Sequence, residues 1–350
     1  MVCIFGLTGG RAPLVQATTA QGDSMSASTF RTDRALPGTA GTPGSAAVPP
    51  GARPAPDRPL TSIVPKELVH RTGVAEVMLT GWERVEGDHF TVTAQWPRGH
   101  SLFTTGGRYH PLIAAETIRQ AGILLAHTEY GVPLDGPLPV EEIRVSTRPG
   151  LFGIGWTPAT LELRVTVRPR HADDGTLTGL RAETEIRRDG RTAATGLSAV
   201  ACVTAPEDER PPSRRPALRD GLPAAAPQAP LAPQAVGRLS PLDVVLSPTP
   251  RPDRWLLRTD TGHPVFTGRG GRIPDMVLLE AACQATAMTL GRPCTPLDIA
   301  AGFGPGTVPA GPCVIGARRL PAAGGTESVL VTGRLHGEPV FHSTVTAAAG

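Results

Sequence analysis

The chain has 350 residues and a formal net charge of +3, with 40% hydrophobic and 19% charged residues. This apolar content excludes a chain that is disordered throughout, and the length predicts two domains joined by a linker. The basic residues are spread along the chain without interleaved aromatic residues, so nucleic-acid binding is not indicated. No run of 18 apolar residues occurs, which argues against a membrane span.

Residues 1–61 are rich in Pro, Gly, Ser, Thr and Ala and show no sustained hydrophobic period. We therefore predict a disordered tail, within which Met25 is an alternative start to Met1. The five cysteines form no CxxC pair, and their odd number favours the reduced thiols of a cytoplasmic protein.

The first predicted domain covers residues 62–205. An apolar helix is predicted at 110–130, with Pro111 in its first turn and Gly131 after its end. Short strands are predicted on both sides of this helix, at 76–79, 89–95, 161–167 and 180–186.

The segment 206–236 is rich in Pro and Ala and is predicted to be a linker. The second predicted domain, residues 237–350, repeats the order of elements found in the first. Its helix is predicted at 274–290, and its strands are predicted at 243–246, 255–258, 313–317, 328–334 and 340–346.

The two predicted helices align without a gap at an offset of 164 residues. Glu116 then falls on Glu280 and Gln120 falls on Gln284, so we infer an internal duplication. Both helices are apolar nearly all round, which indicates burial. The predicted class is α+β, a tandem (double) hotdog in which each unit is an antiparallel sheet wrapped around one long buried helix.

The recurring glutamates, Glu116 and Glu280, are the predicted catalytic residues. Burial in an apolar helix raises a carboxyl pKa, which suits a general acid or base. The alternative is a glutamate that caps nearby N–H groups or pairs with an arginine. The recurrence of each glutamate with a glutamine four residues later favours the functional interpretation.

Arg119 and Gln120 share a helix face with Glu116 and are predicted to bind substrate. An arginine suits a phosphate and a glutamine suits a carbonyl; the alternative is an internal salt bridge with an amide that satisfies buried backbone. Gln284 repeats Gln120.

His100 and His110 precede the first helix and His263 precedes the second, where a thioester carbonyl could be polarised; ordinary loop histidines are the alternative for each. No Cys/His spacing indicates a metal site.

Five segments resemble the A-factor biosynthesis (AfsA-type) hotdog family, and together with their surroundings they span 62–205 and 236–350. They are residues 68–82, 96–100 (WPRGH), 107–134, 263–266 (HPVF) and 273–285. The resemblance implies a double hotdog that acts as a monomer or dimer and needs no cofactor. It also implies transfer of a β-ketoacyl group from an acyl carrier protein thioester to the hydroxyl of dihydroxyacetone phosphate, or a similar acceptor, in γ-butyrolactone-type signal synthesis.

Glu116, Arg119 and Gln120 stand where the family has its first ExxRQ motif. Glu280 and Gln284 stand in the second motif, whose arginine is Cys283 here. Before the second helix, Gly271 and Arg272 replace an Asp-His pair and Asp275 replaces a glycine, so the activity of the second site is left open. Arg272 or Arg269, from the loop before this helix, could supply the missing charge to the acceptor phosphate, and Arg272 is the better placed of the two. The alternative functions are a hotdog thioesterase or dehydratase on acyl thioesters, and a degenerate, non-catalytic acyl-binding or regulatory protein.

Overall fold

The computed structural model describes residues 62–203, 228–258, 263–266, 273–304, 312–321 and 324–349, all of which belong to one compact unit. The predicted tail at 1–61, most of the predicted linker, and the site residue Arg272 with its neighbours Arg269 and Gly271 lie outside the described residues.

Residues 62–203, the first half, form eight strands and one long helix. In chain order these are β1 Leu79–Glu86, β2 His89–Trp96, β3 Thr104–Thr105, β4 Arg108–Tyr109, α1 Leu112–Thr128, β5 Val140–Thr147, β6 Ala159–His171, β7 Leu177–Arg188 and β8 Arg191–Ala201.

The described residues from 228 to 349, the second half, repeat this order without the short β3–β4 hairpin. Their elements are β9 Leu246–Pro248, β10 Arg254–Leu257, α2 Asp275–Leu290, β11 Pro296–Phe303, β12 Cys313–Arg319, β13 Thr326–Leu335 and β14 Glu338–Ala348. Both predicted helices are therefore present, each within two residues of its predicted limits. Helix α2 ends at Gly291, whose φ of 72° is the left-handed conformation that favours glycine at this position.

Within the described residues, twelve strands form one antiparallel sheet in which β5 and β11 pair at the centre. From β5 outward the order is β8, β7, β6, β2 and β1; from β11 outward it is β14, β13, β12, β10 and β9. The two orders are the same when corresponding strands are matched. This is the arrangement that two copies of one unit would produce.

Each helix packs against the strands of its own half. Helix α1 contacts β5, β7 and β8, and α2 contacts β12, β13 and β14. All residues of α1 before Thr128 are buried, as the apolar sequence predicts. One buried helix against a curved antiparallel sheet is the hotdog architecture. No helix in the described part of the chain is long and apolar enough to cross a membrane.

Two predicted strands, 76–79 and 243–246, are largely wrong. The structure has a short 3-10 turn before each of them, and β1 and β9 begin only at Leu79 and Leu246. The N–H groups just before these strands are bound by side chains of the helices. Met78 N donates to Gln120 Oε1 and Val245 N donates to Gln284 Oε1, at 2.9 and 3.0 Å.

The end of the predicted linker packs against the second half. Leu231 N donates to Leu246 O at 2.9 Å, and Ser247 Oγ donates to Gln228 O at 3.3 Å. Val236 is buried. Residues 228–236 therefore pack with the second half in the structure, although their composition predicts a linker. An extended Pro-rich segment can pack in this way because it has few backbone N–H groups that need acceptors.

Candidate active site

A buried polar cluster lies between helix α1 and the segment before β1. We call it the first cluster, and its members are Arg71, Glu116, Arg119 and Gln120. Only 1% of Glu116 is exposed. Arg71 Nε donates to Glu116 Oε1 at 2.7 Å, and the Arg71 Nη2 group lies against Oε2. Arg119 donates to both carboxylate oxygens, from Nε at 2.9 Å and from Nη2 at 3.0 Å. Glu116 therefore holds two arginines, one on its own helix and one from the segment before β1.

Gln120 completes the first cluster and ties it to the backbone. Its Nε2 group donates to Glu76 O at 2.7 Å and also to Glu116 Oε1, while its Oε1 accepts the Met78 N–H. Each polar atom of the Gln120 amide thus has a protein partner. The structure therefore agrees with the alternative given for Gln120, an amide that satisfies buried backbone groups.

The second cluster lies between helix α2 and the segment before β9, and its members are Arg238, Glu280 and Gln284. Arg238 Nε donates to Glu280 Oε1 at 2.6 Å, and its Nη2 group contacts Oε2, so the ion pair is bidentate. Gln284 Nε2 donates to Asp243 O at 2.7 Å and to Glu280 Oε1 at 2.6 Å. Cys283, at the position of Arg119, is buried; burial and then Glu280 raise the pKa of its thiol.

The arginines from the segments before β1 and β9 reach across to the opposite half. Arg71 Nη1 donates to Val265 O at 2.7 Å, and Arg238 Nη1 donates to Leu102 O at 2.9 Å. The two contacts are reciprocal. Each cluster therefore combines a glutamate of one half with a loop of the other half.

The loop that Arg238 contacts is fixed by His100. The His100 Nδ1 atom accepts the N–H groups of Leu102 and Phe103, both at 3.2 Å, so it carries no proton. The Nε2–H group consequently donates to Glu76 Oε2 at 3.0 Å. The ring also stacks on Phe103, with centroids 4.5 Å apart.

His263, predicted to bind substrate, fixes the corresponding loop of the second half. Its Nδ1 accepts Val265 N–H at 3.2 Å, its Nε2–H donates to Asp243 Oδ1 at 3.0 Å, and its ring stacks on Phe266. Both ring nitrogens are engaged within the protein. The structure thus favours a role for His263 in holding the loop that Arg71 contacts.

The electrostatics of Glu116 contradict the expectation of a raised carboxyl pKa. Burial raises the pKa of Glu116, but Arg119 and Arg71 outweigh it and lower the pKa to about 2. Burial lowers the pKa of Arg119, whereas Glu116 and Asp275 raise it to a net value above the usual range. Asp275 Oδ2 lies 3.8 Å from Arg119 Nε, across the two halves.

The first-turn amides of α1 are already hydrogen-bonded. Leu112 N donates to His110 Nδ1 at 3.2 Å, Ile113 N donates to His110 O at 2.9 Å, and Ala114 N donates to Pro111 O at 3.0 Å. In α2, the amides of residues 276, 277 and 278 donate to Asp275 Oδ1 or to Pro274 O. The first-turn amides of α1 are therefore not free to polarise a thioester carbonyl, the role that the sequence predicts for a helix amide.

Sequence reasoning missed Arg71 and Arg238. A signal for them exists, because residues 68–79 and 235–246 align without a gap at an offset of 167. This alignment matches Arg71 to Arg238 and places an acidic residue, Glu76 or Asp243, five positions after each. The predicted residues Glu116, Arg119 and Gln120 do come together, and Glu280 and Gln284 come together separately.

Comparison with known proteins adds four findings. Residues 52–204 match the model of the A-factor biosynthesis (AfsA) hotdog domain. Over 286 residues the chain is 43% identical to the 2-oxo-3-(phosphooxy)propyl 3-oxoalkanoate synthase of Streptomyces virginiae, covering 81% of this chain and 96% of the relative. The synthase of the same name from Streptomyces coelicolor is 34% identical, with 82% and 92% covered. A solved structure, the 12:0-ACP thioesterase of Umbellularia californica, aligns with a TM-score of 0.44 at 10% identity, covering 76% of this chain and 96% of that one.

Proposed function

The chain belongs to the A-factor biosynthesis hotdog family, and from this premise we propose that it transfers a β-ketoacyl group to the hydroxyl of dihydroxyacetone phosphate, towards a γ-butyrolactone-type signal. The observation that carries this proposal is the 43% identity to a synthase along 96% of that relative's length. The name 2-oxo-3-(phosphooxy)propyl 3-oxoalkanoate describes the ester of a 3-oxo acid with dihydroxyacetone phosphate. The predicted acyl transfer is therefore the reaction that forms this ester.

We further propose that the acyl donor is a thioester of an acyl carrier protein in the cytoplasm. The hydroxyl oxygen of the acceptor attacks the thioester carbonyl carbon, and a C–O bond forms as the C–S bond breaks. The hydroxyl proton ends on the released thiol, so the step is neither an oxidation nor a reduction. Arg71 and Arg238 reach across between halves of one chain, which supports a monomer as the active unit.

Glu280 is the better candidate for the general base. Glu116 binds two arginines and has a pKa of about 2, so it is a weak proton acceptor. Among the described residues, Glu280 forms an ion pair with Arg238 alone, and Cys283 stands at the position of Arg119. We propose that Glu116 orients Arg71 and that Glu280 removes the proton from the acceptor hydroxyl.

Arg272 remains the proposed ligand of the acceptor phosphate, whereas Arg119, predicted to bind substrate, belongs to the cluster of Glu116. Arg119 uses Nε and Nη2 on Glu116, and its Nη1 group has no partner among the described residues. Asp275, at 3.8 Å from Arg119 Nε, reduces the positive charge available there. Gln120 and Gln284 are proposed to hold the glutamates, since their amides are bound to the backbone.

Incubation of the purified protein with a β-ketoacyl carrier protein, with and without dihydroxyacetone phosphate, tests the proposed function. The expected product is an ester that forms only when the acceptor is present, measured by mass spectrometry. Release of free acid and thiol without the acceptor would instead indicate a thioesterase, and no turnover would indicate an acyl-binding protein; either result would refute the proposal. Glu280→Gln should lower turnover at least about 10²-fold, whereas Glu162→Gln, in an exposed ion pair with Arg164, is the matched control.

A further inference from the structure

Acyl transfer places negative charge on the thioester carbonyl oxygen, and this charge needs a hydrogen-bond donor. The first-turn amides of α1, the helix that begins beside the loop contacted by Arg238, are occupied, so a side chain is the donor available there. The ring nitrogens of His100 and His263 are occupied as well. A donor must therefore be sought elsewhere near the two clusters.

His110 meets this requirement. It precedes α1, and its backbone is pinned because its N–H donates to Phe103 O at 2.8 Å and its carbonyl accepts the Ile113 N–H. Its Nδ1 accepts the Leu112 N–H, so the neutral ring carries its proton on Nε2. No described residue accepts a hydrogen bond from this Nε2–H group. His110 as a whole residue is half-buried.

The surroundings of His110 place it beside the second cluster, not the first. His110 N is bound to Phe103 O, and the adjacent carbonyl, Leu102 O, is bound by Arg238 of the opposite half. Burial, and then the charge of Arg238, lower the pKa of His110 well below its usual range. The ring is therefore neutral near pH 7, and it acts as a donor with a fixed tautomer.

The second half has no histidine at the position that corresponds to His110. The helix offset of 164 matches His110 to Pro274, which is flanked by Ile273 and Asp275. None of these three side chains has a neutral N–H group. The two clusters, each of which meets a loop of the other half, therefore differ. The cluster that contains Glu280 has a histidine donor beside it. The cluster that contains Glu116 has a second arginine, Arg119, and Asp275 instead.

We propose that His110 is a catalytic residue, that its Nε2–H group donates to the thioester carbonyl oxygen, and that His110 and Glu280 form the reacting centre. This inference rests on the proposed function. As the acceptor oxygen bonds to the carbonyl carbon, Glu280 receives the hydroxyl proton and His110 stabilises the oxyanion. When the C–S bond breaks, the carbonyl re-forms and the proton passes from Glu280 to the departing thiolate. His110 keeps its own proton throughout.

Two substitutions separate the donor role of His110 from its structural role. His110→Asn keeps a short acceptor for the Leu112 N–H but loses the donor at Nε2. His110→Gln places an amide N–H near the position of Nε2. We expect kcat to fall about 10²- to 10³-fold in His110→Asn, with KM changed less than about threefold, and His110→Gln to recover at least about tenfold of that loss. His171→Asn, an exposed histidine, is the matched control and should behave as wild type.

A double-variant cycle tests whether His110 and Glu280 act together. The variant His110→Asn/Glu280→Gln should be no more than about threefold slower than the slower single variant, because residues that act as a unit are not additive. Wild-type kcat in a folded His110→Asn, no recovery in a folded His110→Gln, or full additivity would overturn the inference. Should both His110 variants unfold, a second readout decides: imidazole ¹⁵N spectra of the wild type must show a neutral ring with its proton on Nε2. An inactive wild type would refute the proposed function itself, a result distinct from an active wild type with an unaffected variant.

Discussion

The buried charge of Glu116 should make the stability of the protein depend on pH in a defined direction. The pKa of Glu116 is lowered from 4.5 to about 2 in the folded protein. Its stabilising contribution is therefore fully present above pH 4.5 and is lost as the pH falls towards 2. The interval between these two pKa values corresponds to about 3 kcal/mol at pH 7, of which roughly 1 kcal/mol is lost by pH 3.5.

Glu116→Gln removes this titration and keeps the shape of the side chain. At pH 7 the variant should be less stable by about 3–5 kcal/mol, because Arg71 becomes a buried charge without its counter-ion and Arg119 keeps only Asp275, at 3.8 Å. The difference between wild type and variant should shrink by roughly 1 kcal/mol between pH 7 and pH 3.5.

Urea unfolding at pH 7, 5 and 3.5 measures this difference directly. Glu162→Gln, which removes an exposed carboxylate paired with Arg164, should differ from wild type by less than about 1 kcal/mol at each pH. A wild type-to-Glu116→Gln difference that stays constant over this pH range would refute the buried ion-pair account.

A helix–sheet contact and the second cluster give two further predictions. A Cβ atom on Gly122 would lie 2.4 Å from Ser198 Oγ, so Gly122→Ala should destabilise the protein by about 1–3 kcal/mol in thermal unfolding. Adding Ser198→Ala should abolish that loss, because it removes the clash and a buried hydroxyl without a partner; a double variant as unstable as Gly122→Ala would contradict this. Arg238→Met should cost about 3–5 kcal/mol by leaving Glu280 unpaired, and Arg238→Met/Glu280→Leu should recover most of it in urea unfolding. Equal losses in the single and double variants would show that Glu280 is not the cause.

The helices and the hotdog class could be predicted because their signals are local. The apolar stretch around Glu116 and its repetition around Glu280 identify both buried helices without knowledge of the contacts. The strands at 76–79 and 243–246 were predicted wrongly because side-chain amides, which propensity does not register, bind their N–H groups.

The cross-half contacts could not be predicted in the same way. Arg71 and Val265 are separated by 194 residues, and nothing in the local sequence of either indicates the other. The direction of the pKa shift at Glu116 depends on the same contacts. Burial alone predicts a raised value, and only the positions of Arg71 and Arg119 reverse it.

The origin of the bridging oxygen in the product tests the central claim, acyl transfer to the acceptor hydroxyl, most directly. Dihydroxyacetone phosphate labelled with ¹⁸O in its hydroxyl group would be incubated with the β-ketoacyl carrier protein and the enzyme, and the products analysed by mass spectrometry. The account predicts an ester that retains the label in its bridging oxygen, with one thiol released per ester formed. Unlabelled free acid as the sole acyl product, released equally fast without the acceptor, would contradict it.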